Sequence, residues 1–345
     1  MSNISIDVLG IGNAIVDVIA HADDDFLTLH GMAKGGMALI DEARAETLYL
    51  AMGAGIQVSG GSAANTCAGI ASLGGTAGYI GKIKDDLLGR IFAHDITALG
   101  VRFETESASE GPATARCLVL VSPDAERTMN TFLGACVNLM PDDIDEAQIV
   151  GASITYLEGY LFDPPHAKEA FRKAARIARG AGRTVALSLS DSFCVDRYRQ
   201  EFRELIGDHV DILFANEDEI RSLYGVNDIG EAIPAIEAAT SVAAITRGAK
   251  GSLIVCGDDR IEIPPVPIER VVDTTGAGDL YAAGVLYGLA RGLTLAECGH
   301  IGSVAAAEII SHFGGRPETP LATLIGKGAA DPTSVARAGR VRLRS

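Results

Sequence analysis

Apolar positions come in short, strand-like runs at the start of the chain and settle into a different rhythm further on. Residues 4–10, Ile-Ser-Ile-Asp-Val-Leu-Gly, alternate toward a strand that breaks at glycine, and the β-branched run at 15–20 predicts a second strand after a short turn. Residues 63–73 are small and helical in character and begin just after Gly60-Gly61-Ser62. Residues 115–121 read as a strand, followed by the polar turn Ser122-Pro123-Asp124 and an extended partner at 128–133. From Ile154 onward strands predicted at 184–189, 210–214, 243–246 and 253–256 are separated in several places by helices, such as 166–181 and 217–224. Two long apolar helices follow at about 277–291 and 295–311. Strands alternating with helices imply a parallel sheet covered on both faces, which gives an α/β, doubly wound, mostly parallel sheet flanked by helices. The early hairpin-like strands do not fit that rhythm and predict a small separate sheet. No internal repeat occurs.

Composition narrows the function classes. The 345 residues carry 45 acids against 29 bases, a formal charge of −16, which repels a nucleic-acid backbone. No run of about 18 apolar residues predicts a membrane-spanning helix, and residues 1–7 lack the features of a signal peptide. Six cysteines are scattered with no CxxC spacing, which reads as core filler in a reducing compartment, with the cytoplasm expected. The seven histidines form no HxxxH or HxH pair, which argues against zinc. Residues 1–330 read as one domain and 331–345 as a basic tail, expected to be solvated.

Two familiar motifs fail. Gly10 and Gly12 open a dinucleotide fingerprint whose third glycine is Ile15, and strand rather than helix is predicted next, which disfavours an NAD-dependent oxidoreductase. Gly81-Lys82 resembles the end of a P-loop, but Thr76 replaces its first glycine and Ile83 its Ser/Thr. The string Val271-Val272-Asp273-Thr274-Thr275-Gly276-Ala277-Gly278-Asp279 is different, because it runs straight into a predicted helix. Amides of Gly276, Ala277 and Gly278 at a helix N-terminus make an anion site, since their donors and the helix dipole both favour negative charge. Asp279 in the first turn can orient an attacking hydroxyl and accept its proton, the pairing that phosphoryl transfer needs.

This string resembles the C-terminal signature of the ribokinase-like (PfkB) family of sugar and nucleoside kinases, and the resemblance extends over roughly residues 4–320. Gly12-Asn13-Ala14-Ile15-Val16-Asp17 resembles the family's first substrate-binding segment, and Ser59-Gly60-Gly61-Ser62-Ala63-Ala64-Asn65 its Gly-Gly motif. The resemblance implies substrate binding by Asn13, Asp17, Gly60, Gly61 and Asn65. It implies ATP binding at Asn216, Thr246, Gly248, Gly251 and Thr275, and Glu219 serving magnesium through water. Ser188 stands where many members carry an asparagine near the ATP phosphates. A potassium ion near the 273–275 loop is a further implication. Within the family the chain resembles the adenosine kinase branch, whose lid arginine, near the phosphates, matches Arg127. Met37, Leu39, Cys117, Val119, Phe132, Tyr160 and Phe162 are expected to line an apolar face suited to a nucleobase.

The expected activity is therefore ATP-dependent phosphorylation of a nucleoside 5′-hydroxyl, with adenosine foremost and Asp279 as the base. The lid is expected from segments near 13–21, 34–41 and 112–133. A sugar kinase of the same family is the alternative, and a catalytically silent nucleotide-binding protein the alternative of another class. The chain is expected to be a monomer or a homodimer, depending on whether the lid edge pairs.

Overall fold

The computed structural model describes residues 5–124 and 126–326, so the tail at 331–345 lies outside the described residues. Its strands are β1 (Ile6–Ile11), β2 (Ile15–His21), β3 (Met37–Leu39), β4 (Ile56–Gly60), β5 (Ala77–Ile80), β6 (Val101–Phe103) and β7 (Ala115–Val121). There follow β8 (Arg127–Phe132), β9 (Ala152–Glu158), β10 (Thr184–Ser188), β11 (Ile212–Asn216), β12 (Val242–Thr246), β13 (Ser252–Cys256) and β14 (Asp259–Ile263). Nine of them form one sheet in the order β14-β13-β12-β11-β10-β9-β1-β5-β6, parallel from β12 through to β6, with β13 and β14 added antiparallel at one edge.

Both faces of this sheet are buried. Alternate residues such as Ala186, Ile212, Phe214 and Val242 face the helices Ser62–Ser72, Leu87–Ala98, Ala277–Ala290 and Leu295–Ile309. Their neighbours Val185, Leu187, Leu213 and Ala243 face Pro165–Gly180, Ser192–His209, Glu217–Tyr224 and Ile229–Ala239. Burial on both sides is why these strands read as continuous apolar runs rather than alternating ones.

A second sheet of five strands has the order β3-β8-β7-β2-β4. Strands come from each of the three segments expected to form the small sheet. A fourth segment, β4, also joins it, pairing antiparallel with β2 along Ile15–Gly60 to Ile19–Ile56. Its Gln57, Ser59 and Gly60 hide the strand pattern. Other elements that the apolar pattern did not single out have similar causes. β6 is three residues long, helix Ile229–Ala239 carries Pro234 inside, and helix Ser192–His209 is kinked at Tyr198.

All six cysteines are free, and all but Cys256 are buried. Among the described residues no helix is long and apolar enough to cross a membrane.

Candidate active site

The C-terminal ends of β9, β10, β11 and β12 bring Glu158, Ser188, Asn216 and Thr246 to one cavity of about 970 Å³, the place where open α/β sheets bind ligands. The small sheet supplies the opposite wall through Ile15, Asp17, Met37, Leu39, Cys117, Val119, Arg127 and Met129.

Gly276, at φ +77°, is the N-cap of helix Ala277–Ala290, so Asp279 is not the cap. Its carboxylate instead faces helix Ser62–Ser72. Ser62 Oγ donates to Asp279 Oδ1 at 2.6 Å, Asn65 Nδ2 donates to Oδ2 at 2.9 Å, and Thr66 Oγ1 donates to the Asp279 carbonyl at 3.1 Å. Positions 62, 65 and 66 share one face of that helix, which is what lets three side chains converge. Burial raises the Asp279 pKa, and the bonds from Ser62 and Asn65 and the charge of Arg316 oppose it. Within the turn the Ala277 N–H donates to the Thr274 carbonyl at 3.2 Å.

Asn13 and Asn65 are buried, and the Oδ1 atom of each has no hydrogen-bond partner among the described residues although both side chains line the cavity. Asn13 is anchored from its other end. Its N–H and Nδ2 donate to Glu158 Oε1 at 3.2 and 3.0 Å, while the Ala63 N–H donates to Oε2 at 2.8 Å. Burial pushes Glu158 up to about 7 despite those bonds. Asp17 is pushed up to about 6 by burial, with Arg316 and Arg127 pulling the other way.

The double glycine is a steric requirement. A Cβ on Gly60 would lie 2.4 Å from Asp17 Oδ2, and one on Gly61, at φ +96°, would lie 2.2 Å from the Asn13 carbonyl. Gly61 lines the cavity, whereas Gly60 only makes room for Asp17.

Arg127 forms a nearly buried ion pair with Asp273, joining the small sheet to the glycine turn. Asp273 also accepts from the N–H groups of Thr275 at 3.0 Å and Gly314 at 3.1 Å. Burial alone would raise its pKa, but these amides and Arg127 outweigh it and hold the carboxyl low.

At the far end Asn216 and Glu219 form a reciprocal capping box on helix Glu217–Tyr224, with three bonds of 2.7–3.0 Å, and both line the cavity. The capping box thus holds both side chains at the cavity wall. Burial pushes Glu219 up to about 7, the Asn216 N–H opposes this, and Asp191 adds to it. Thr246 and Thr275 line the cavity. Gly248 and Gly251 are not among the lining residues and shape the turn between β12 and β13 at φ +56° and +82°.

The apolar wall is corrected in two places. Met37, Leu39, Cys117, Val119 and Tyr160 line the cavity, but Phe132 and Phe162 do not. Phe162 is fully buried, stacked on Phe171 at 6.0 Å and beside Phe202. Its neighbour Tyr160 points the other way because a single 3-10 turn, Gly159–Leu161, carries the chain round the strand end.

Two further residues organise the site. Glu158 had a legible signal, an acid closing a buried strand before glycine. Arg316 had none: from the loop after the last long helix it donates to the carbonyls of Ser59 and Ala64.

The pattern that defines the pfkB family of carbohydrate kinases matches residues 41–322. The solved structure of the adenosine kinase from Sinorhizobium meliloti is 52% identical, covering 92% of this chain and 98% of its own, with a TM-score of 0.86. That of a probable sugar kinase protein from Rhizobium etli CFN 42 is 49% identical, covering 92% and 97%, also at 0.86. Adenosine kinase 2 of Arabidopsis thaliana is 27% identical over 342 residues, which is 91% of this chain and 96% of the relative. Shared sequence along most of the chain, on the same fold, makes this a kinase with ATP as co-substrate and a nucleoside or sugar as acceptor: the chain belongs to the pfkB carbohydrate kinase family.

Proposed function

We propose that the protein transfers the γ-phosphoryl group of ATP to the 5′-hydroxyl of a nucleoside, adenosine foremost. The observation that carries this reading is the division of one cavity into two chemistries. Asp17 and the unpartnered Oδ1 atoms of Asn13 and Asn65 offer acceptors to sugar hydroxyls beside Asp279. Beside Asp17 on the small sheet, Ile15, Met37, Leu39, Cys117, Val119 and Met129 present uncharged, mostly apolar side chains to the cavity, three of them bearing polarisable sulfur. A ribose fits the first and a flat base the second. The description of the Sinorhizobium meliloti protein as an adenosine kinase supports the same reading. The sugar-kinase alternative draws on the Rhizobium etli protein, but a free sugar would leave the apolar wall uncovered.

In this reading the acceptor hydroxyl lies against Asp279, whose carboxylate Ser62 and Asn65 hold in place. The amides at Gly276–Gly278 receive the negative charge of the moving group, and Ala277 would share the bond it gives Thr274. Residues 1–330 would act as one kinase unit, with the small sheet as a lid that excludes water from ATP.

The residues fit magnesium delivered with the nucleotide. Among the described residues no cluster of three or more His, Cys, Asp or Glu forms a cage, and Glu219 and Asp191 at the cavity wall suit an ion that keeps its waters. Bound there, magnesium would neutralise phosphate charge. Potassium fits the Asp273 side chain poorly, since both its oxygens are engaged and a cation there would stand beside the Arg127 guanidinium.

A panel of nucleosides and sugars with ATP and magnesium tests the proposal. Adenosine should give the highest kcat/KM, other purine nucleosides lower values, and free ribose or fructose poor ones. A monosaccharide preferred over every nucleoside would overturn it.

A further inference from the structure

Ser190 is the one non-glycine residue with positive φ among those described, at +68°. It lies two residues beyond the end of β10, and the Asp191 N–H donates to the Leu189 carbonyl at 2.8 Å across it. Residues 189–191 therefore close a γ-turn of the positive-φ kind, which is rare and strained for any residue with a Cβ. Two bonds fix the turn in place. Ser190 N–H donates to Ser188 Oγ at 3.2 Å, and Leu189 N–H donates to the Phe214 carbonyl of β11 at 3.0 Å.

The hydroxyl at this strained position is itself unsatisfied. Ser190 lines the cavity, yet its Oγ is buried and has no hydrogen-bond partner among the described residues. Buried hydroxyls nearly always pair, so one held unpaired at a strained position beside a cavity marks a contact made only with ligand. The position selects which ligand. Asn216 closes the adjacent strand β11, and Glu219 follows on the next helix; both line the same cavity, and Glu219 feels the charge of Asp191, the residue after Ser190. Ser188 occupies the place where the family resemblance implies an asparagine near the phosphates, and its Oγ is already accepting from Ser190.

We propose that Ser190 donates its hydroxyl to a phosphate oxygen of the bound nucleoside triphosphate, a contact made from the strained turn. This rests on ATP as co-substrate and not on which acceptor is phosphorylated.

Ser190→Gly and Ser190→Ala separate the hydroxyl from the turn. Glycine takes positive φ without strain, so its unfolding midpoint should not fall below wild type, whereas alanine keeps the strain. Both lose the hydroxyl, so both should weaken binding of a non-hydrolysable ATP analogue with magnesium, measured by calorimetry, by roughly tenfold or more. The KM for ATP should rise in step while the KM for the acceptor stays put. Nucleotide binding within about twofold of wild type in Ser190→Ala would overturn the proposal, because a lost hydrogen bond to a charged group costs more than that. A rise confined to the acceptor KM would overturn it equally, by assigning the hydroxyl to the other substrate. Since the binding experiment contains no acceptor, failure of the nucleoside reading leaves its outcome unaffected.

Discussion

Replacing Asp279 by Asn should lower kcat by roughly 10²–10⁴ while the protein stays folded, the range expected for loss of a general base. The substitution is nearly isosteric, and the local bonds can adapt. The amide oxygen of Asn can accept from Asn65 Nδ2, and its NH₂ can donate to Ser62 Oγ, which accepts as readily as it donates. What is lost is the negative charge and the capacity to take a proton. A mere capping role would predict no such loss, since Asn and Asp cap about equally, and the cap of this helix is in any case Gly276. ATP affinity should change little, or tighten as a charge near the phosphates disappears. Turnover close to wild type in a folded Asp279→Asn protein would defeat the assignment.

Asp17→Ala should lower kcat/KM for the nucleoside by roughly 10²-fold, the loss of one or two charge-assisted hydrogen bonds at ~1.5–3 kcal/mol each. The fold should survive, because Arg316 keeps its bonds to the Ser59 and Ala64 carbonyls when its charged neighbour goes. A pH profile sharpens the test. Burial raises the Asp17 pKa to about 6, so the carboxylate form is lost as pH falls through that value. In kcat/KM, which reports the free enzyme, activity should drop on the acid side of about 6. Glu158 and Glu219, pushed to about 7, titrate higher. The part of the limb belonging to Asp17 is the part that Asp17→Asn removes. Unchanged kcat/KM in Asp17→Ala would reduce Asp17 to an ordinary polar residue of β2.

The features legible in the sequence are those written in contiguous residues. The glycine turn before Asp279, the Gly-Gly pair before Asn65 and the apolar strands of the large sheet all depend on local pattern, and their elements form where expected. Features that depend on which segments meet were hidden. Arg316 reaches Ser59 across more than 250 residues of chain, and no spacing predicts that. Arg127 was legible as a lid arginine, but its pairing with Asp273 follows only from how β8 lies over the turn. Tyr160 and Phe162 are two residues apart in an aromatic run, and a 3-10 turn sends one to the cavity and the other to the core. Ser190 looks like any loop serine until its φ is known.

The position of the phosphate in the product tests the central claim most directly. After incubation with ATP, magnesium and adenosine, the ³¹P spectrum should gain one phosphomonoester signal split into a triplet by the two 5′ protons, rising in step with ADP. That outcome requires the ribose to be seated with its 5′-hydroxyl against the transferring phosphoryl group, beside Asp279. A doublet, from a phosphate on a secondary hydroxyl, or ADP formed only when a free sugar replaces adenosine, would contradict it.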